Sequence, residues 1–257
     1  MKINLTLDYA FCGTHADWNN TLTVLAAMAE DEVWGYDQKS PYSILNQYIR
    51  ATFNRCYNQN KILETEVANK RYSCFNTGLL TKNGDDIVAL FKENHIPDNQ
   101  PWILTGFKSV KDRCFMNVFN RTPELATYTD NYKDLYFNPD YPLMLNTDHI
   151  LDDNWERIEK VIPLSKTIVR SLLPGILEET KKRILRNMRL VVPQFYNDQI
   201  MYLVPVYIPI DEDKYETMAL AVELTTTKQY RANTIFTKEM AYGKARVIMK
   251  PESNWLI

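Results

Sequence analysis

The last third of the chain constrains the fold most. Val191 to Tyr196, Gln199 to Ile208, Met218 to Leu224 and Tyr230 to Phe236 are four apolar, β-prone runs in succession, with no helical stretch between them. Asn197-Asp198 separates the first two, and both residue types accept the positive φ that a two-residue hairpin needs, so neighbouring strands here pair antiparallel. The longest apolar-looking stretch, Ile200 to Ile210, carries Pro205 and Pro209 and is far short of the ~20 residues that cross a bilayer. It reads as a buried or edge strand.

Helices are expected ahead of and between the strands. A helical N-terminal part (about 17–65) includes Leu22 to Ala29 and a segment from Pro41 to about Tyr57. In that segment Ser40 is the expected N-cap and Pro41 the first helical position. Ile44, Leu45, Tyr48, Ile49, Thr52, Phe53 and Cys56 repeat on one face, with Asn46, Gln47, Arg50 and Asn54 facing outward. Tyr72 to Phe75 is strand-like, Asn76-Thr77-Gly78 bends, Leu79 to Thr81 resumes, and Asn83-Gly84 marks a turn. A short helix is expected from Asp85 or Asp86 to Glu93, and a strand from Trp102 to Phe107. Thr147 or Asp148 caps a helix with Leu151, Trp155, Ile158 and Ile162 on one face. A helical pair follows, Ser165 to Leu173 and Pro174 to about Leu190, and Thr237 caps a last helix through about Ile248. The class is α+β with a mainly antiparallel sheet; a doubly wound parallel sheet is the alternative. No internal repeat or linker composition divides the chain, so residues 1–257 read as one domain.

Charge excludes a global attraction to nucleic acid or anionic lipid: 30 Lys plus Arg against 32 Asp plus Glu, in 257 residues, leave −2. Any such contact is local. Seven glycines and no GxGxxG or GxxxxGK[ST] disfavour phosphate-cradling loops, and no motif specifies a cofactor. Cys12, Cys56, Cys74 and Cys114 are too widely spread for a zinc knuckle or redox pair and read as reduced, mostly buried thiols. With no secretory signal at the N-terminus, a cytoplasmic location is expected. His15, His95 and His149 lack HxH or HExxH spacing, so a histidine-based metal site is not expected.

Three constellations carry chemistry. From Lys166 to Leu190 seven positive charges stand against Glu178 and Glu179, and on a helix Lys182, Arg186 and Arg189 fall at i, i+4 and i+7. That stripe binds phosphates, or it is a solvated face with internal pairs such as Glu178 with Lys182. Leu177, Ile184 and Met188 cover another face. Asp148, His149, Asp152, Asp153, Asn154 and Arg157 share the first turns of one helix. They suit a hard cation or general acid–base work by His149, or they complement the helix dipole. In RYSCFNTGLLT (Arg71 to Thr81), Asn76, Thr77 and Gly78 either meet a ligand or form a bulge. The Tyr and Phe side chains, 12% aromatic with Trp, can stack bases on a sheet, yet no RNP-type octapeptide is present and most belong to the core.

Several segments together resemble one family: ILNQYIRATFNR, FNTGLLT followed by IVALF, PWILTGF, HILDDNWERI, RNMRLVVPQFY, the MALAVEL strand, and YRANTIFTKEMAYGKARVIMKPESNWL. The chain is similar to the domain of unknown function 3825 from about Met28 to Leu256. Relatives often carry this domain beside cold-shock and OST-HTH (LOTUS) modules, which implies RNA-linked work. The family's polar pattern falls on Asn76, Thr77, Gly78, His149, Asn154, Arg157, Asn187, Gln194, Thr234, Thr237, Tyr242 and Arg246. No appended RNA-binding module is expected beside the domain in this chain, so the basic stripe is expected to supply the affinity alone. The resulting expectation is an RNA- or nucleotide-binding domain, extending to phosphoester processing in RNA metabolism or conflict systems. In it Lys182, Arg186, Arg189 and Arg246 hold phosphate and His149 or a nearby carboxylate transfers a proton. The alternatives are a non-enzymatic sensor of nucleotides or RNA ends, and a protein-interaction scaffold that docks a partner on an exposed Ile44–Cys56 face.

Overall fold

The structure, a computed structural model, describes residues 4–96 and 99–256. The chain divides into two compact units, one ending at Thr127 and the other beginning at Tyr128. No Pro-, Gly- or Ser-rich stretch marks that boundary, so the division shows in the packing alone.

In the first unit a strand β1 (Ala10–Phe11) precedes two helices, α1 (His15–Met28) and α2 (Ser43–Asn58). Four further strands follow: β2 (Leu63–Val67), β3 (Lys70–Leu80), β4 (Asp86–Glu93) and β5 (Trp102–Ser109), then a single turn of helix, α3 (Arg113–Met116). The second unit begins with β6 (Leu143–Met144), then α4 (Thr147–Ile158) and α5 (Lys166–Arg186). The strands β7 (Val192–Tyr196), β8 (Gln199–Asp211), β9 (Lys214–Leu224) and β10 (Tyr230–Thr237) follow, and α6 (Lys238–Arg246) comes last. The sheet orders are β1-β5-β4-β3-β2 and β6-β10-β9-β8-β7. In each sheet the two-residue edge strand pairs parallel with the last strand, and every other pairing is antiparallel. Both units therefore share one topology, a short strand, two helices and a four-strand meander. No internal repeat is visible in the sequence because the repeat lies in connectivity and not in residue identity. The fold is α+β with mainly antiparallel sheets, as the hairpin spacing implies.

The apolar stripe of α2 is buried throughout, from Ile44 at 3% exposure to Leu45, Ile49, Phe53 and Cys56 at 0%. Each such side chain removed from water contributes about 1.5–3 kcal/mol. This burial leaves no exposed apolar face there to dock a partner. Asn46, Gln47, Arg50 and Asn54 are half-buried instead of outward-facing; Asn46 Oδ1 accepts from Trp18 Nε1 at 2.9 Å and from Arg50 Nε at 3.0 Å.

Other local expectations are corrected. Asp86–Glu93 is a central strand, not a helix: Ile87 to Phe91 are five consecutive apolar residues, all buried, as a strand covered on both faces requires. The N-cap of α2 is Tyr42, with no side-chain capping bond, and Ser40 and Pro41 lie in the turn before it. Asn146 caps α4 by accepting from His149 N at 3.2 Å. The expected helical pair is one continuous helix, α5, with Pro174 on its exposed side; it stops at Arg186 because Asn187 (φ −150, ψ 89) leaves helical geometry. The Asn197-Asp198 turn has φ 48 and 60, the paired positive values of a type I′ hairpin. Among the described residues no helix is long and apolar enough to cross a membrane.

Candidate functional site

The polar side chains of the second unit meet where α4 packs on β10. Asn154, 5% exposed, donates Nδ2 to Ile150 O at 2.8 Å, a bond within its own helix. Its Oδ1 accepts from Thr234 Oγ1 at 2.6 Å and from Arg157 Nη1 at 3.0 Å. The same Nη1 donates to Ile235 O at 2.5 Å, and the guanidinium lies 5.6 Å from the Phe236 ring centroid. A bulge between Ala232 and Thr234 sets this register. Asn154, Arg157 and Thr234 thus form one network joining helix to strand, with the amide oxygen as its shared acceptor.

His149 stands one helical turn earlier and faces solvent. Its Nδ1 is 3.1 Å from Asp153 Oδ2, both side chains being more than half exposed. A hollow of about 460 Å³ opens beside it, lined by Met144, Leu145, Asn146, His149, Arg231 and Asn233 among others. Arg231 is paired with Glu223. The acidic residues of α4 are not gathered around a cation: Lys166 Nζ is 2.5 Å from Asp152 Oδ1 and Arg170 Nε is 2.9 Å from Asp148 Oδ1. The Lys166 hydrogen bond and charge hold the Asp152 carboxyl below the usual carboxylate range. Among the described residues no group of three or more His, Cys, Asp or Glu side chains is placed to hold a metal ion.

The same pairing sorts the basic stripe. Lys181 Nζ meets Glu178 Oε1 at 2.7 Å and Arg183 Nη2 meets Glu179 Oε1 at 2.5 Å. Lys166, Arg170, Lys181 and Arg183 are therefore committed to carboxylates. Glu178 is lowered in pKa chiefly by Lys181, with Lys182 a weaker contributor, so the expected Glu178–Lys182 pair is replaced by its neighbour. Lys182, Arg186 and Arg189 are exposed, and among the described residues none forms an ion pair with a carboxylate. Arg186 Nη1 donates to Lys182 O at 2.7 Å, which brings those two side chains to one side of the last turn. Arg189 does not continue their row: it lies beyond the helix, in a short turn (Met188–Leu190) capped by Asn187 Oδ1. Leu177 and Ile184 are buried as expected, but Met188 is 53% exposed for the same reason.

Gln194, 2% exposed, sits on β7 opposite Met201, on the sheet face turned away from the α4–α5 core. Tyr242 and Arg246 are buried in α6, at 4% and 7% exposure, and Thr237 Oγ1 caps that helix by accepting from Met240 N. A buried Arg246 is not part of an exposed cationic surface with Lys182 and Arg186.

Asn76, Thr77 and Gly78 belong to the first unit, within β3. Asn76 Oδ1 accepts from Gly78 N at 2.9 Å, and its Nδ2 donates to Pro123 O at 3.2 Å and reaches Asp86 Oδ1 at 3.4 Å. Thr77 Oγ1 donates to Ile87 O at 2.6 Å and accepts from Leu79 N at 3.2 Å. Gly78 has φ +72, and a Cβ there would stand 2.6 Å from the Tyr48 hydroxyl, which donates to Thr77 O at 2.8 Å. These contacts hold a bulge in the strand, and they account for the residues' polarity without a ligand.

A second hollow, about 430 Å³, opens in the first unit beside Lys70, Tyr72 and Lys92. Sequence reasoning did not single out this grouping, because only the pairing of Tyr72 with Lys92 across β3 and β4 brings it together and the helical reading of Asp86–Glu93 hid that pairing.

The profile of one family, described as Domain of unknown function (DUF3825), matches residues 25–255 of the chain. No curated protein and no solved structure matches it significantly.

Proposed function

The chain belongs to the DUF3825 family, and from that premise we propose that it is an RNA- or nucleotide-binding domain whose phosphate contacts are Lys182, Arg186 and Arg189. One observation carries the reading: of the seven cations between residues 166 and 189, four are paired with carboxylates and, among the described residues, these three are not. Cations left unpaired on a surface attract a counterion atmosphere, and a polyanion gains by releasing the ions that they and it hold. Arg186 and Arg189 add a planar fork that matches two phosphate oxygens, which an ammonium does not. The proposal places the protein in the cytoplasm, with RNA or a nucleotide as its partner.

Fluorescence anisotropy with a labelled single-stranded RNA decamer tests it. Replacing Lys182, Arg186 and Arg189 by Ala together is expected to weaken binding at least tenfold, whereas Lys181→Ala, which removes a charge already paired, leaves it within twofold. Equal losses from both changes would reduce the effect to net charge and end the proposal. Proton transfer by His149 is a separable part: hydrolysis of the bound RNA that disappears in His149→Ala would add turnover to binding, and wild-type protein that releases no product would restrict the function to binding.

A further inference from the structure

The two faces of the first unit's sheet carry opposite charge arrangements at the end away from α3. Paired residues on neighbouring strands share a face, and residues two apart on one strand do likewise. On one face Glu64, Glu66, Arg71, Glu93 and Trp102 come together through the pairs Glu64 with Ser73, Glu66 with Arg71, and Glu93 with Trp102. Arg71 neutralises Glu64 at 3.0 Å and Glu93 at 3.2 Å, and its guanidinium lies 5.3 Å from the Trp102 ring centroid.

The other face has no carboxylate in the corresponding rows. One row crosses the sheet as Phe11, Ile103, Lys92, Tyr72 and Thr65, and Lys70 stands beside it, two residues before Tyr72. Tyr72 packs its inner edge on the small core of Cys74, Leu90, Phe115 and Phe119, which fixes the side to which this row points. Phe11 is 50% exposed, Lys70 and Lys92 are exposed, and Tyr72 is half-buried. Among the described residues neither lysine has an ion-pair partner, and the Tyr72 hydroxyl has no hydrogen bond. The hollow of about 430 Å³ covers the Tyr72, Lys92 and Ile103 part of this row, with Lys70, His95 and Ile96 also on its wall and Phe11 outside it; Arg71 and Glu93 reach the wall too, held to each other.

We infer that this face binds an unpaired stretch of RNA, with one base stacked on Tyr72, a second on Phe11, the intervening phosphate on Lys92 and a flanking phosphate, beside Tyr72, on Lys70. Charge complementarity selects the occupant: two unneutralised ammonium groups beside aromatic rings suit a ligand that alternates anions with flat apolar faces. Every base has a π-face, so such a platform takes single strands with little regard to sequence. Three strand spacings of 4.7–4.9 Å put Phe11 and Tyr72 about 14 Å apart, room for a short extended strand with a phosphate between them. The inference rests on the RNA reading above for its ligand class, but on a different unit for its site.

The test uses the full chain and the same labelled single-stranded RNA decamer. Tyr72→Leu keeps an apolar side chain against the small core that contains Cys74 and Leu90 while removing the stacking ring, and is expected to weaken binding about tenfold, with Tyr72→Phe close to wild type. Lys92→Ala is expected to weaken binding and make it less salt-dependent. A thermal melt of each variant within 3 °C of wild type, roughly 1 kcal/mol for a chain of this size, excludes unfolding as the cause. Should a variant melt lower, crosslinking of a 4-thiouridine-containing decamer to the wild-type chain reads the same site, the Tyr72 peptide being labelled if the inference holds. Binding unchanged in Tyr72→Leu but lost without Lys182, Arg186 and Arg189 overturns this site and leaves the first proposal standing. Loss in Tyr72→Leu with the triple variant unaffected does the reverse. Wild-type protein that binds no RNA ends both.

Discussion

At the scale of single residues, Asn76, Thr77 and Asn154 are buried polar side chains committed to partners within the chain before any ligand arrives. Asn154 is the clearest case, because one amide oxygen receives both Thr234 and Arg157. Asn154→Ala leaves a hydroxyl and a guanidinium without their acceptor in a partly buried place, a loss of about 1–3 kcal/mol. Urea unfolding should show that lower stability with little change in RNA affinity; a large affinity loss at unchanged stability would instead place Asn154 in contact with ligand. The thiols divide in the same way. Burial pushes Cys12, Cys56 and Cys74 up to about 12, whereas Cys114 is exposed. At neutral pH a thiol reagent is expected to modify Cys114 first, and the buried Cys56 and Cys74 only after denaturation. These raised values also set a sign: above the ordinary thiol value of about 8.5 the unfolded chain ionises and the folded chain does not. Stability therefore falls as pH rises from about 9 towards 12, and a melt that is flat across that window would contradict the burial of Cys56 and Cys74.

At the scale of elements, what was legible in the sequence depended on whether pattern alone settled the geometry. The stripe from Ile44 to Cys56 has one period and one face, and it is a buried helix face. The Asn197-Asp198 hairpin was readable because its two positive φ values restrict residue type. Ile87 to Phe91 was not, since an unbroken apolar run fits a buried helix and a central strand equally well and only the neighbours β3 and β5 decide. Pro174 suggested a break in what is a continuous α5, where an exposed proline is carried by the buried residues on either side of it, Leu173, Ile176 and Leu177. Gly175 next to it sits on the same exposed side, and a Cβ added there would meet no atom within 4 Å. Gly175→Ala should stabilise the chain by about 0.5–1 kcal/mol, because it removes backbone freedom from the unfolded state and meets nothing in the folded one. Lower stability in that variant would mean that the helix bends there in a way alanine cannot follow.

At the scale of the whole molecule, two units repeat one topology without repeating a sequence, and the candidate contacts with RNA fall on both. The polar residues that the family resemblance singles out were readable as a set, but their roles were not. Asn76 and Thr77 hold a bulge, Asn154, Arg157 and Thr234 tie α4 to β10, and Arg246 is buried in α6. The charged residues behaved in the opposite way: the stripe was plain in the sequence, yet only the pairing of Lys181 with Glu178 and of Arg183 with Glu179 separates the committed cations from the available ones. The most direct test of this account is the dependence of RNA affinity on salt, measured for the wild type and for the Arg186→Ala/Arg189→Ala double variant. Each phosphate contact to a single strand contributes about 0.7 to the slope of log K against log salt, so losing two lowers its magnitude by about 1.4. A double variant with the wild-type slope would contradict the claim that these side chains hold phosphate.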